Sequence, residues 1–228
     1  MDYKFTNQWF LGNVYGRGEE IDIRSIWTAL FAKHPIEHVL EIGSYEGQSS
    51  CFLGEHLGSL GRGSITCIDT WQGSMEHGGD AMGSVEARFD DNIAVLRNKI
   101  GPDIEVRKLK DKSINGAARL LTEGKTGFFD FIYIDRSHRS ADVLSDAVIT
   151  FQLLKPGGLM VFDDYLWNYG YLKTGDVLES PKQGIDAFIN TFSGQLEVLH
   201  GYPSYQLYAH KISRTDKMDE IGMSPEQI

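Results

Sequence analysis

The chain has 228 residues, enough for one domain of about 150 residues with appendages or for two, and a core of that size needs no disulfide or structural metal. Its make-up, 41% hydrophobic and 24% charged, excludes a disordered chain, a collagen and a disulfide scaffold, and it contains no run of about 18 apolar residues to span a membrane. A net charge of −10 repels nucleic-acid phosphates, so duplex binding is disfavoured as a main function.

Met1-Asp2-Tyr3-Lys4-Phe5 has no apolar secretory core, so a cytoplasmic location is expected. Cys51 and Cys67 read as small core residues of a reduced compartment rather than a disulfide or metal pair. Residues 1–22 are aromatic-rich and irregular, and residues 1–30 are expected to form an arm, either a lid or a homo-oligomer contact. Val39-Leu40-Glu41-Ile42 is a short strand ending at a glycine turn. A helix over Ser49 to Leu60 stops at Gly61. Ser64 to Asp69 is a second strand. Val85 to Lys99 reads as a helix closed by Gly101-Pro102, and Ile104 to Leu109 alternates with period two. Ser113 is placed as the N-cap of a helix over Ile114 to Leu121. The apolar, aromatic run Phe129 to Ile134 is a strand buried on both faces. A helix over Ser140 to Leu154 is stopped by Lys155-Pro156-Gly157-Gly158, and Leu159 to Phe162 is the next strand. Pro181 opens a helix to Phe192. Gln195 to Leu199 and Tyr205 to Lys211 are strands about a Gly201-Tyr202-Pro203-Ser204 turn. From Ser213 the chain is polar, a flexible tail over 213–228. The alternation of strands and helices predicts one α/β domain over residues 31–212, a Rossmann-like, doubly wound, mostly parallel sheet with an antiparallel last strand.

Two groups of residues carry chemistry. In the first, Glu41-Ile42-Gly43-Ser44-Tyr45-Glu46-Gly47-Gln48-Ser49, a strand delivers a carboxylate, two glycines let the backbone turn close to a ligand, and a helix begins. The spacing is not Gly-x-Gly-x-x-Gly and there is no Walker lysine, which argues against dinucleotide and nucleoside-triphosphate sites. Asp69, at the end of the second strand, is placed to hydrogen-bond a ribose diol; the bland alternative is a loop carboxylate facing water. In the second group, Asp135 ends a buried strand with His138 three residues later, and Asp163-Asp164 ends the next strand. Carboxylates gathered at one sheet edge repel unless a cation neutralises them. Hard oxygen ligands suit Mg²⁺, Mn²⁺ or Ca²⁺, and the chain has no Cys/His set with zinc spacing. His138 beside these acids is either a functional imidazole or a structural histidine.

From Val39 to Lys211 the sequence resembles a class I S-adenosylmethionine (SAM)-dependent methyltransferase, through the Glu-x-Gly-x-x-x-Gly loop, Asp69, the Lys-Pro-Gly-Gly turn and the antiparallel last pair. The resemblance implies that Glu41, Gly43, Ser44, Tyr45, Gly47 and Ser49 hold the methionine end of the cofactor and Asp69 its ribose. Asp111 and Ser113 fall where adenine is contacted, with Ser113 equally readable as a helix cap. The second group is similar to metal-dependent O-methyltransferases of the catechol and macrolide-sugar types. That likeness implies Asp135, Asp163 and Asp164 as metal ligands, Asp135 also bordering the cofactor, and His138 as base. Arg136 stands where the macrolide-sugar pattern has glycine; it either points to solvent or contacts an acidic substrate. The acceptor would be a small-molecule hydroxyl (sugar, polyketide glycoside or catechol-like) lying against Trp71, Tyr165 and Trp167. Trp9, Phe10, Met75, His77, Tyr169 and Tyr171 are further lining candidates. Packing in the core or an oligomer is the alternative for these aromatics. Residues 73–83, rich in glycine, read as a mobile loop closing on ligand. Two competing readings are a metal-dependent hydroxylase or hydrolase on the same fold, and a SAM-binding protein without catalysis. An iron hydroxylase site wants two histidines and one carboxylate, and only His138 is suitably placed.

Overall fold

The computed structural model describes residues 2–6, 22–73 and 84–212. The expected tail over 213–228, nearly all of the 73–83 loop, and Trp9, Phe10, Met75 and His77 lie outside these residues. The elements are α1 (Ile23–Phe31), β1 (His38–Ile42), α2 (Gln48–Leu60), β2 (Gly63–Asp69), α3 (Val85–Ile100), β3 (Ile104–Lys110) and α4 (Ser113–Thr122). They continue as β4 (Phe129–Ile134), α5 (Ser140–Leu153), β5 (Leu154–Phe162), α6 (Tyr169–Thr174), α7 (Lys182–Thr191), β6 (Leu196–Val198) and β7 (Leu207–Lys211).

The strands form one sheet in the order β3-β2-β1-β4-β5-β7-β6, parallel except for β7, which runs antiparallel to β5 and β6. Alternation along each strand splits the core. Val39, Phe131 and Tyr133 face the layer of α1, α2 and α3, whereas Leu40, Ile132 and Ile134 face that of α4, α5 and α7. The chain leaves β1 toward β2 and β3, then returns to build outward from β4. The order therefore reverses between β1 and β4, the position at which open α/β sheets bind ligands. The register lines up the strand exits. Gly43 N donates to Ile68 O at 2.9 Å, Asp135 N to Ile42 O at 2.8 Å, Asp163 N to Ile134 O at 3.0 Å and Asp111 N to Asp69 O at 3.0 Å. Gly43, Asp69, Asp135 and Asp163 are thus brought to one row along the carboxyl edge.

Local departures from the sequence reading have physical causes. Most of the stretch expected as an arm's end is α1, where Asp22 caps by accepting from Arg24 N at 3.1 Å and Ile23, Trp27, Leu30 and Phe31 are buried. Their spacing of four, three and one is that of a helix face. Ser113 does not cap α4: Lys112 holds that position, and the Ser113 hydroxyl is drawn instead to Asp146 at 2.5 Å. The Lys155-Pro156-Gly157-Gly158 turn lies inside β5 as an irregularity: Leu154 pairs with Phe129 before it, and Leu159 with Phe131 after it. No helix among the described residues is long and apolar enough to cross a membrane.

Candidate active site

The loop after β1 is built around two carboxylates. Glu41 is fully buried and accepts from Ser44 Oγ and Ser49 Oγ, each at 2.5 Å, and from Ser50 Oγ. Burial pushes the Glu41 carboxyl up from its ordinary range, against the pull of the serine hydroxyls. Its acceptor positions are spent on the turn and on the first residues of α2. Gly43 has φ +87°, and a Cβ there would lie 1.9 Å from the carbonyl oxygen of Asp135, so only glycine lets this loop pass the end of β4. Gly47, also at positive φ, is the N-cap of α2 and packs on Phe89. Asp69 fastens the loop from β2. Its Oδ2 accepts from Ser44 N at 2.9 Å and Tyr45 N at 3.0 Å, and its Oδ1 from Trp71 N at 2.7 Å. Among the described residues Oδ1 has this single donor.

Trp71 is 5% exposed, packed on Phe89 with ring centroids 4.7 Å apart and donating from Nε1 to Tyr45 O at 2.8 Å. It buttresses the loop and presents little surface to an acceptor. Asp111 is exposed and accepts from Lys112 N at 2.7 Å and Asn115 Nδ2 at 2.9 Å, which hold its carboxyl below the ordinary range. Arg136 is neither free in solvent nor at the acid cluster: its Nη1 donates to Ser113 Oγ at 2.6 Å. Ser113 in turn donates to Asp146, whose carboxyl burial raises to about 6.

At the ends of β4 and β5 the acids face one another. Asp135, His138 and Asp164 each offer one ligand atom, and these atoms lie within 4.8 Å of one another. His138 Nε2 is 2.8 Å from Asp164 Oδ2. Asp163 turns the other way. Its Oδ1 accepts from Asp164 N at 2.9 Å and Gln206 Nε2 at 3.1 Å, while Oδ2 meets the Tyr133 hydroxyl. Of the three expected metal carboxylates, Asp135 and Asp164 therefore converge with His138, and Asp163 sits behind them. Burial, and then the charges of Asp163 and Asp164, push the Asp135 carboxyl well above its ordinary range. Burial and Asp164 raise Asp163 to about 7. The Tyr133 hydroxyl is 3.0 Å from Asp135 Oδ2 and also contacts Asp163, so one phenol bridges the two carboxyls. Two carboxylates that converge beside an imidazole, one of them raised by burial and by its acidic neighbours, form a donor pair that a hard divalent ion would neutralise.

Among the described residues, three non-glycines adopt positive φ: Tyr45 (46°), Trp71 (52°) and Asp164 (54°), all at this edge. Side chains in that region are strained and collect at ligand sites. For Asp164 the twist separates its carboxylate from that of Asp163. Trp167 lies against His138 with centroids 4.2 Å apart and continues to Tyr169 at 5.9 Å. Tyr165 is engaged elsewhere, donating to Asp186 Oδ1 at 2.7 Å and accepting from Lys182 Nζ at 2.7 Å. Tyr133, Tyr205 and Gln206 join the site without having been singled out in the sequence. Tyr205 lies beside the acids, and burial together with their charges pushes its phenol up. The available signal was for Tyr133, two residues before Asp135 on a buried strand and therefore on the same face.

Sheet order, glycine turn and acid-bearing strand ends together define a Rossmann-like α/β protein with its ligand loops gathered at the switch point. A family model described as a methyltransferase domain matches residues 40–165, more than half of the chain, and the protein belongs to this methyltransferase family. It is similar to the "Probable caffeoyl-CoA O-methyltransferase 3" of Dictyostelium discoideum, at 24% identity over 163 residues covering 72% of this chain and 57% of that one. The chain thus spans less than two thirds of that relative's length. In fold it is similar to the O-methyltransferase from Bacillus cereus in complex with S-adenosylhomocysteine (SAH), with TM-score 0.59, 18% identity, 89% of this chain and 84% of that chain. It is likewise similar to the O-methyltransferase TomG from Streptomyces achromogenes, involved in tomaymycin synthesis and bound to SAM, with TM-score 0.59, 17% identity, 83% of this chain and 79% of that chain.

Proposed function

We propose that the protein is a SAM-dependent, divalent-metal-assisted O-methyltransferase acting on a hydroxyl of a small molecule. The observation that carries this reading is the meeting of two structures at the switch point. The Gly43 turn lies directly against Asp135 O, and Asp135 in turn belongs to the Asp135–His138–Asp164 group. Donor loop and acid cluster share one wall, as a reaction between a sulfonium methyl and a hydroxyl requires.

SAM supplies an electrophilic methyl group, and a divalent ion such as Mg²⁺, Mn²⁺ or Ca²⁺ supplies charge stabilisation for a developing alkoxide. Asp135 and Asp164 would hold the ion. Ser44, Tyr45 and Gly47, drawn into shape by Glu41 and Asp69, hold the donor end. His138 is the residue that would accept the acceptor's proton. The Asp164 carboxylate at Nε2 fixes the ring's orientation and stabilises the imidazolium that forms. Trp167, tilted at 45° against that ring with centroids 4.2 Å apart, limits its rotation. The work of the residues is positioning, where proximity effects are largest. Among the acceptor classes, the name of the Dictyostelium relative favours a phenolic one, and the Trp167 face beside His138 suits an aromatic ring. Among the described residues only one histidine joins the carboxylates, which leaves an iron hydroxylase without its second imidazole.

The test is transfer of labelled methyl from SAM to catechol, phenolic-thioester and sugar acceptors, with and without EDTA and added Mg²⁺. Binding of SAM by calorimetry and metal-stimulated transfer to at least one hydroxyl are expected. No SAM binding at millimolar concentration would overturn the reading; full activity in EDTA would remove its metal part.

A further inference from the structure

A buried polar chain that the proposed chemistry does not use runs from α1 to the acid cluster. Gln206, just before β7, is 3% exposed. Its Oε1 accepts from Trp27 Nε1 at 3.0 Å and from Tyr208 OH at 2.7 Å. An indole N–H can only donate, so the carboxamide oxygen is compelled to face Trp27. The amide nitrogen is thereby turned to Asp163, where it donates to Oδ1 at 3.1 Å. With the Asp164 amide at 2.9 Å on the same atom, both acceptor positions of Oδ1 are filled. Oδ2 is held by Tyr133, whose hydroxyl also reaches Asp135 Oδ2 at 3.0 Å. The Tyr133 ring stands edge-on to Trp27 with centroids 4.8 Å apart, so one indole steadies both ends of the chain. Trp27, Tyr133 and Tyr208 are each no more than 2% exposed, and in such surroundings a polar network with its partners supplied is stiff and costly to break.

We propose that Gln206 is a positioning residue for the divalent ion. Through Asp163 the Trp27–Gln206–Tyr208 set fixes the Asp135 carboxylate by way of Tyr133 and the Asp164 backbone by way of its N–H. Asp163 stands in this network as its junction and outside the three converging ligand atoms: two donors fill its Oδ1, and its Oδ2 meets Tyr133. The inference rests on the metal-assisted reading above. Loss of an outer hydrogen-bond partner typically costs about 10–100-fold in metal affinity.

Mn²⁺ binding, read by electron paramagnetic resonance of the free ion, separates the cases, with SAH affinity and thermal melting measured alongside. Gln206→Met, similar in length but without the amide, is expected to weaken Mn²⁺ binding by about 10–100-fold with SAH affinity unchanged. Turnover should fall at limiting metal and recover at saturating metal, with the acceptor KM unaltered. Tyr133→Phe keeps the ring against Trp27 and removes only the hydroxyl, so it serves if Gln206→Met does not fold; it should shift Mn²⁺ affinity in the same direction. Asp163→Asn should weaken the ion less than Asp164→Asn does. Unchanged Mn²⁺ affinity in Gln206→Met or Tyr133→Phe overturns the positioning role, and loss in Asp163→Asn as complete as in Asp164→Asn makes Asp163 a ligand. A wild-type protein that binds SAH but no Mn²⁺ instead overturns the metal reading on which the proposal stands.

Discussion

The loop after β1 and the cluster at the ends of β4 and β5 solve opposite electrostatic problems with the same residue type. Glu41 and Asp69 are surrounded by donors: serine hydroxyls for the first, backbone amides for the second. Their charge is answered inside the protein, and what they produce is a backbone shape. Asp135, Asp163 and Asp164 are surrounded by one another, and burial together with these acidic neighbours pushes Asp135 well above its ordinary range and Asp163 to about 7. A carboxylate satisfied by amides is scaffold, whereas carboxylates left to repel one another are waiting for a cation.

The contrast can be broken first on the acid side. Asp164→Ala should lower metal-stimulated methyl transfer by about 1,000-fold, since it removes a proposed ligand and the partner of His138 together. SAH affinity measured by calorimetry should stay within a few-fold. The converse change is Gly43→Ala. The added methyl meets Asp135 O at a contact of 1.9 Å in a backbone at φ +87°, and SAH affinity should fall by about 100-fold in the same assay. A comparable loss of SAH binding in Asp164→Ala would erase the division of labour.

Acidity sharpens the comparison. Asp146 has its carboxyl raised to about 6 by burial, so the folded state keeps a proton that the unfolded chain releases above its ordinary value. Its contribution to stability is complete below about pH 4 and is lost as pH rises through 6, a change of about 3 kcal/mol. Asp146→Asn should flatten this slope in denaturant titrations across that window. For the metal site the sign is opposite. Asp135, a proposed ligand with a raised carboxyl, must give up its proton to bind an ion, so Mg²⁺ affinity should climb as pH rises, while SAH affinity, which depends on the loop, should not follow it. The smallest effect is expected for Glu41→Gln, which retains one oxygen acceptor and lets the serine hydroxyls rotate. It should cost about 1–2 kcal/mol in denaturant melts and leave Mn²⁺ binding intact.

Much of this was legible along the chain. The strand ending at Ile134 is an unbroken apolar run, and the Gly43 turn announces itself by two glycines between a strand and a helix. The helix α1 was readable too, from Asp22 and the spacing of Ile23, Trp27, Leu30 and Phe31, but the aromatic, irregular stretch before it drew attention to an arm. Trp71 illustrates the limit. An aromatic residue beside a candidate site looks like a stacking surface until its neighbours are known, and here Phe89 buries it. Arg136 is similar: a charge next to Asp135 in sequence is held by Ser113, 23 residues away.

What the amino-acid sequence determined by itself was the order of elements and the kind of chemistry at each strand end, because period-two burial and glycine turns are local properties. The tertiary structure decided which of two adjacent acids does what. Asp163 and Asp164 are neighbours of the same type, and nothing local distinguishes them. Asp163 is drawn to Tyr133 and Gln206, which lie 30 and 43 residues away in the chain, while Asp164, at φ 54°, is turned to His138. Side-chain direction at a strand's end is set by partners that only the sheet order brings together.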